Sequence, residues 1–139
     1  MDATIVIPVY NEEENLPILA KELHQVLAGS GLDYEIIFVD DGSTDGTAEG
    51  LLALEEADSR VRVVQLRRNF GQTAAFSAGF DRAEGEIVVT SDGDLQNDPA
   101  DIPELVRVLE SGHDIVAGWR RSRRRRRRRA MHAERRSAS

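Results

Sequence analysis

Two aspartates separated by one residue, Asp92 and Asp94, follow an apolar run of the sequence. Residues two apart in an extended segment point the same way, so both carboxylates can face one point. Gly93 between them permits close approach of the backbone, and Gln96 adds an amide oxygen. Oxygen ligands of this kind favour Mg²⁺ or Mn²⁺. The pattern predicts a divalent cation held by Asp92, Asp94 and Gln96.

A polar turn that leads into a capped helix is the alternative, because Asp, Gly, Asn and Pro are common turn formers. A calcium loop of the EF-hand type does not fit. Counted from Asp92, its sixth position is Asn97 and its twelfth is Pro103, where Gly and Glu are required. The position at a strand end, opposite other polar loops, favours the cation site over the turn.

The elements that must position these residues alternate along the chain. Short β-branched runs predict strands at residues 3–9, 34–40, 60–66, 85–92 and 113–118. Amphipathic segments predict helices after Asn11, at 47–57, at 71–83 and after residues 98–101, the first with a capping box of Asn11 and Glu14. This order predicts an α/β fold with a mainly parallel sheet and helices on both faces. Such sheets bind ligands beyond the carboxyl ends of their strands.

Two other polar loops follow predicted strands, "YNEEEN" at residues 10–15 and "DDGSTDGT" at 40–47. We expect them to meet the Asp92 segment at one edge of the sheet. In the second loop, one of Asp40 and Asp41 can pack inward while the other accepts hydrogen bonds from a base or ribose. A tight turn in which Asp45 or Thr47 caps the next helix is the simpler alternative.

Charge divides the chain into two parts. Residues 1–118 hold 7 Lys/Arg and 24 Asp/Glu, whereas residues 119–139 hold 11 Arg and a single Glu. The second part has few residues to bury, so we expect a folded domain over residues 1–120 and an Arg-rich disordered tail over 121–139. An arginine run can contact nucleic acid or anionic lipid. Trp119 is the only aromatic residue beside it, so we expect no nucleic-acid partner.

Several classes of protein are poor fits. The sequence has no Cys, which excludes disulfides and thiolate metal sites. It contains neither a G-x-x-x-x-G-K-[ST] phosphate loop nor a G-x-G-x-x-G dinucleotide fingerprint nor a serine nucleophile elbow. No apolar stretch reaches the ~18 residues of a membrane span, and the N-terminus has no signal-peptide pattern, so we expect a cytoplasmic protein.

Five segments in order resemble the family 2 glycosyltransferases of the GT-A fold. They are similar above all to the polyprenyl-phosphate sugar transferases, of which dolichol-phosphate mannose synthase is a familiar member. The likeness covers about residues 3 to 122, and the segments are "IVIPVYNEEENL", "YEIIFVDDGSTDGT", "RNFGQTAAFSAGF", "SDGDLQNDPADIPEL" and "DIVAGWR".

The resemblance implies a role for each matching residue. The base and ribose of a nucleotide would be held by Pro8, Tyr10, Glu12 and Asp41. The catalytic pair Asp92 and Asp94, with Gln96, would hold Mg²⁺ or Mn²⁺ on the diphosphate, with Gly93 behind the sugar nucleotide and Arg120 near the phosphates. The implied partners are a nucleotide-diphosphate sugar donor and a polyprenyl-phosphate acceptor, at the inner face of the cell membrane. A lipid phosphate is already largely anionic near neutral pH, since its second pKa is about 6. Direct attack by that oxygen would invert the anomeric centre without a strong general base.

Beyond Arg120 the sequence departs from the family, which continues with an acceptor-binding segment, whereas seven consecutive arginines occupy residues 123–129 here. We therefore expect the nucleotide-binding N-terminal part of such an enzyme. The alternatives are a nucleotide-sugar-binding fragment without turnover, a family 2 enzyme with a saccharide acceptor, and an interaction protein that acts through its arginine tail. The donor base and sugar stay open.

Overall fold

The computed structural model describes residues 1–90, Pro103, Arg107, residues 115–117 and residues 132–135. Strands and helices alternate through the first 90 residues. The strands there are β1 (Ala3–Val9), β2 (Tyr34–Asp40), β3 (Val61–Gln65) and β4 (Ile87–Thr90), and the helices are α1 (Leu16–Ala28), α2 (Thr47–Ala57) and α3 (Gln72–Arg82). Two short strands follow, β5 (Ile115–Ala117) and β6 (His132–Arg135).

The six strands form one sheet in the order β3-β2-β1-β4-β6-β5. The first four are mutually parallel, and β6 is antiparallel to both of its neighbours. Every residue of β1 and β2 is buried, as expected for central strands covered on both faces. The predicted α/β fold with a mainly parallel sheet and helices on both faces is confirmed.

The core has two layers, one on each side of the sheet. Alternate residues of β1 such as Ile5 and Ile7 pack with the apolar faces of α1 and α2, including Leu23 and Leu51. The intervening residues face α3, where Val6 packs in a smaller cluster that also contains Ile37, Val39, Ala75, Ala83 and Val88. Burying a side chain of this size stabilises a fold by roughly 1.5–3 kcal/mol. This double layer holds the strand ends in fixed positions.

The predicted start of the first helix is wrong. The helix begins at Leu16 with Asn15 at its N-cap, and no side chain caps it. Asn11 instead adopts a left-handed backbone with φ 53°, and its side chain bonds to Thr44. The predicted bounds of α2 are confirmed at Thr47–Ala57. The predicted fourth helix lies outside the described residues except at Pro103 and Arg107, both of which are helical.

One strand lies where the sequence predicts disorder. β6, at His132–Arg135, pairs with β4 from Ile87↔Arg135 to Thr90↔His132 and also with β5. The edge of β4 away from β1 presents backbone N–H and C=O groups that need partners, and an added antiparallel strand supplies them. Backbone pairing of this kind does not depend on apolar side chains, which is why composition missed it. The boundary at residue 120 stays a prediction.

Candidate functional site

Three loops meet at the carboxyl edge of the parallel strands. We call them rim loop 1 (residues 10–15, after β1), rim loop 2 (residues 41–46, after β2) and rim loop 3 (residues 66–71, after β3). The three strands end level, because Val9 pairs with Asp40 and Asp40 with Gln65. The loops therefore start side by side, as the sequence predicts for two of them.

Three consecutive backbone N–H groups join rim loop 1 to rim loop 2 and to Thr47, the first residue of α2. The N–H of Asn11 donates to the Ser43 hydroxyl at 2.9 Å, and that of Glu12 donates to the Thr47 hydroxyl at 2.9 Å. The N–H of Glu13 donates to Asp45 at 3.4 Å. These amides are all engaged within the protein, so they are not free to bind a ligand.

Hydrogen bonds also run in the opposite direction between the two loops. The N–H of Thr44 donates to Asn11 Oδ1 at 2.8 Å, and the N–H of Gly46 donates to Glu13 Oε1 at 3.1 Å. Asn11 is the only non-glycine residue with a positive φ among those that the structure describes. Asn tolerates that conformation better than most residues, and the Thr44 bond helps to hold it there.

Asp41 holds rim loop 3 against rim loop 2. Its Oδ1 accepts the Phe70 N–H at 2.8 Å and its Oδ2 accepts the Gly71 N–H at 3.0 Å, while the residue is only 5% exposed. Gly42, next in the chain, has φ 75°, and a Cβ there would lie 2.3 Å from the carbonyl carbon of Arg68. The two loops are thus in direct backbone contact. Both carboxylate oxygens of Asp41 keep a free lone pair after these bonds.

The neighbouring aspartate, Asp40, is buried to about the same extent as Asp41. Asp40 is 3% exposed, and its Oδ1 accepts the Ser43 N–H at 3.0 Å. The predicted alternative in which Asp45 or Thr47 caps the next helix is wrong, because Gly46 is the N-cap of α2 and no side chain caps it. Asp45, one residue earlier, accepts the Thr47 N–H at 2.8 Å. The carboxylate of Asp40 therefore has its partner within the turn, whereas the partners of the Asp41 carboxylate lie in rim loop 3.

The other residues predicted to bind nucleotide differ in accessibility. Tyr10 is 43% exposed, so its ring is available to a ligand. Glu12 is half-buried, and its Oε1 accepts the Asn15 side-chain amide at 2.7 Å. Pro8 is buried within β1 opposite Val39. The structure brings Pro8, Tyr10, Glu12 and Asp41 to one edge of the sheet, and their nucleotide-binding role stays a prediction.

Hydrogen bonds in rim loop 2 favour the ionised form of Asp45. The Thr47 hydroxyl lowers the pKa of Asp45, against burial that raises it, and backbone N–H groups of Thr47 and Glu13 lower it further. Rim loops 1 and 2 contain no Lys or Arg but carry Glu12, Glu13, Glu14, Asp41 and Asp45. The centre of the rim is therefore strongly negative at neutral pH.

Rim loop 3 carries the only basic residues of the three loops, Arg67 and Arg68, both exposed. The Arg68 guanidinium stacks over the Phe70 ring, 4.8 Å from its centroid, and Phe70 is 47% exposed. Sequence reasoning assigned no function to this loop. Its "RRNF" stretch follows a predicted strand, and this pattern could have marked the loop as a basic part of the same edge of the sheet.

The residues of the predicted cation site, Asp92, Gly93, Asp94 and Gln96, lie outside the described residues. Arg120 also lies outside them. The strand that leads into them, β4, runs parallel to β1 and ends at Thr90, so its carboxyl end faces the same edge. Within the part of the chain that the structure describes, no three His, Cys, Asp or Glu side chains form a group that could hold a metal. Likewise, none of the described helices is both long and apolar enough to cross a bilayer.

Comparison with known proteins agrees with this geometry. A family model described as glycosyl transferase family 2 matches residues 4–138 of the chain. The chain belongs to glycosyl transferase family 2. The matched region includes the arginine-rich stretch and β6.

Among similar family members are two undecaprenyl-phosphate 4-deoxy-4-formamido-L-arabinose transferases. The protein from Yersinia enterocolitica is 49% identical over 114 residues, which is 81% of this chain and 35% of that protein. The protein from Erwinia tasmaniensis is 47% identical over 129 residues, which is 92% of this chain and 40% of that protein. The chain thus spans well under half the length of these relatives.

Two solved structures are similar to this fold. TarS 1–349 from S. aureus, crystallised with UDP, is 26% identical with a TM-score of 0.64, over 83% of this chain and 34% of the 1–349 fragment. The mannosyltransferase PcManGT from Pyrobaculum calidifontis, in complex with GDP-Man and Mn²⁺, is 22% identical with a TM-score of 0.73, over 96% of this chain and 44% of that one. The second comparison supports the fold alone.

Proposed function

We propose that residues 1–120 form the donor-binding domain of an enzyme that transfers a sugar from a nucleotide diphosphate to a polyprenyl phosphate. The observation that carries this proposal is the interlocked rim, where three loops present an exposed Tyr10 beside Asp41 at the carboxyl edge of a family 2 fold. Binding of UDP by TarS and the undecaprenyl-phosphate acceptor in the names of the relatives support the two substrates.

A diphosphate at the centre of this rim requires a cation. The N–H groups of residues 11–13 are engaged with rim loop 2 and with Thr47, so they cannot neutralise an anion. A phosphate within about 4 Å of a carboxylate is repelled by about 4 kcal/mol at an effective dielectric constant near 20. A single hydrogen bond to the phosphate would offset only about 1 kcal/mol of this repulsion. Arg67 and Arg68 lie on rim loop 3, which follows β3, and two strands, β2 and β1, separate β3 from β4.

Asp92, Asp94 and Gln96 fit a divalent cation, because their oxygens are the ligands that Mg²⁺ and Mn²⁺ prefer. When bound, such an ion stabilises the charge that develops on a leaving diphosphate. Tyr10 and Asp41 would orient the nucleotide, and Gly93 would allow close approach of the sugar nucleotide. Arg120 would lie near the phosphates.

The reaction proposed here needs no strong general base. An oxygen of the acceptor phosphate forms a bond to the anomeric carbon while the bond from that carbon to the nucleoside diphosphate breaks, and the diphosphate leaves with the electron pair. The acceptor oxygen is already largely anionic near neutral pH. Attack from the face opposite the leaving group inverts the anomeric centre. The acceptor is a membrane lipid, so we place the protein at the inner membrane surface.

Isothermal titration with UDP, GDP, CDP and dTDP, each with Mn²⁺ and with EDTA, tests the donor half of this proposal. We expect one nucleotide to bind with Mn²⁺ and to bind at least tenfold more weakly in EDTA. Asp94→Asn should abolish the effect of Mn²⁺, whereas Asp81→Asn, an exposed change on α3, should leave it intact. Equal binding with and without Mn²⁺ would contradict the metal.

A transfer assay with undecaprenyl phosphate tests the acceptor half. Formation of a lipid-linked sugar by the wild type, and none by Asp94→Asn, is the expected result. The chain spans 35–40% of its relatives, so nucleotide binding without product would assign only donor binding to this chain. Transfer to a saccharide but not to the lipid would overturn the proposed acceptor.

A further inference from the structure

Asn11 makes two hydrogen bonds to a different loop, whereas a simple surface turn needs only bonds within itself. Its N–H donates to Ser43 and its Oδ1 accepts the N–H of Thr44, so one residue of rim loop 1 bonds through two groups to adjacent residues of rim loop 2. We call Asn11, Ser43 and Thr44 the loop clasp. The Thr44 hydroxyl adds a longer contact of 3.4 Å to the same Oδ1.

The loop clasp fixes a change of chain direction. β1 is extended as far as Val9, and two residues later the backbone at Asn11 is left-handed with φ 53°. A left-handed non-glycine residue costs roughly 1–2 kcal/mol, less for Asn, and persists where its surroundings hold it in place. Tyr10 lies between these two points, so the direction of its exposed ring depends on the clasp.

We propose that Asn11 and Ser43 are positioning residues for the nucleotide site, acting through Tyr10. The inference rests on the proposed function, because it assumes that Tyr10 contacts the nucleotide. Neither residue needs to touch the ligand. Asn11 sets the turn, and Ser43 holds the first of the three amides that join the loops.

The chain supplies a matched control for Ser43. Ser30 is also half-buried in a loop, and its hydroxyl accepts the Leu32 N–H at 3.1 Å, much as the Ser43 hydroxyl accepts the Asn11 N–H at 2.9 Å. Ser30 lies before β2, at the opposite edge of the sheet. The Ser30 hydroxyl also donates to the Leu27 carbonyl at 2.7 Å, so removing it should cost at least as much stability as removing the Ser43 hydroxyl. Only the Ser43 change should affect the rim.

The first experiment compares UDP affinity and thermal midpoint in Ser43→Ala, Ser30→Ala, Asn11→Ala and Asn11→Gly. We expect Ser43→Ala to weaken UDP binding about fivefold, the equivalent of one hydrogen bond. Ser30→Ala should leave UDP binding unchanged, although its thermal midpoint should fall at least as far as that of Ser43→Ala. Asn11→Ala should weaken binding more than Asn11→Gly, because glycine accepts the left-handed backbone. Equal UDP affinities for Ser43→Ala and Ser30→Ala would overturn the proposal.

The second experiment needs no ligand, so it separates the loop clasp from the proposed function. Amide hydrogen exchange followed by NMR should show protection at Asn11 and Thr44 in the wild type, with loss of protection at Asn11 in Ser43→Ala and normal protection at Ile5 and Ile7 in β1. Fast exchange at Asn11 and Thr44 in the wild type would overturn the clasp. A protected clasp in a protein that binds no nucleotide would refute both the proposed function and the positioning role.

Discussion

The carboxylate of Asp41 fixes the start of α3, because its Oδ2 accepts the N–H of Gly71 at 3.0 Å, one residue before the helix begins. Its Oδ1 holds Phe70 in the same way at 2.8 Å. A residue whose sequence pattern predicts contact with a nucleotide is thus also the anchor between two rim loops. Substitutions here act on stability as well as on binding.

Asp41→Asn should destabilise the fold. The change keeps one acceptor oxygen but turns the other into an NH₂ donor that faces a backbone N–H, and the site is only 5% exposed. An unsatisfied buried donor costs about 1–3 kcal/mol, so we expect a loss of that size in the free energy of unfolding measured with urea. Asp81→Asn, which is exposed, is the control and should change it by less than about 0.5 kcal/mol. A stability of Asp41→Asn equal to that control would refute the anchoring role.

Gly42→Ala should destabilise the fold more than Gly31→Ala. The two glycines have nearly the same backbone, with φ 75° and φ 79°, so both substitutions carry the strain of a left-handed alanine. A Cβ at Gly42 would meet the backbone of Arg68 at 2.3 Å, whereas a Cβ at Gly31 would meet nothing within 4 Å. Urea unfolding of the pair isolates the contact between rim loops 2 and 3. Similar losses would show that backbone strain alone matters and that the loops can separate freely.

A buried carboxylate at the opposite edge of the sheet makes stability depend on pH. Glu35 is 3% exposed, and it accepts hydrogen bonds from Thr4 at 2.6 Å, Arg62 at 2.8 Å and the Glu84 N–H at 2.8 Å. Burial raises the pKa of Glu35, but these three partners together lower it below its ordinary value. A lowered pKa means that Glu35 stabilises the fold fully above the pKa of the unfolded chain, near 4.5, and that this stabilisation is lost as pH falls toward the folded-state value.

Glu35→Gln should therefore flatten the fall in stability of the wild type below about pH 4.5. It should also lower the free energy of unfolding at pH 7 by about 1–3 kcal/mol. The groups of Thr4, Arg62 and Glu84 that contact Glu35 are all donors, so the NH₂ group of the new amide would have no acceptor there. Urea unfolding from pH 7 to pH 3 measures both effects. Glu86→Gln, an exposed change nearby, should keep the wild-type profile. Identical slopes for Glu35→Gln and the wild type would exclude Glu35 as the titrating group.

The elements were predictable because their signals are local. Unbroken apolar runs such as Ile36 to Val39 predict buried strands, and α2 was predicted with its observed bounds. The capping of the first helix was predicted wrongly because Asn11 has two possible partners, and the distant Thr44 amide replaces the helix amide that a capping box requires. Local spacing cannot decide between them. Strand β6 was missed because its pairing is a matter of backbone groups rather than composition.

For the candidate site, too, the local features were predictable and the distant contacts were not. The predicted strand positions were enough to place the loops of Tyr10, Glu12 and Asp41 at one edge of the sheet, because parallel strands that end level place their loops together. The interlocking of those loops was not predictable, since it depends on pairs more than 30 residues apart, such as Glu13 with Gly46. The same holds for the stacking of Arg68 on Phe70, because the Phe70 backbone is held by Asp41, which lies 29 residues away in the sequence.

We propose that Asp92 and Asp94 hold one divalent ion on a nucleotide diphosphate. Crystals of the protein grown with UDP and Mn²⁺, measured at the manganese absorption edge, would locate that ion. We expect a single strong anomalous peak in contact with carboxylate oxygens of both aspartates and with the diphosphate. Nucleotide density at the rim without such a peak, or a peak bound elsewhere, would contradict it.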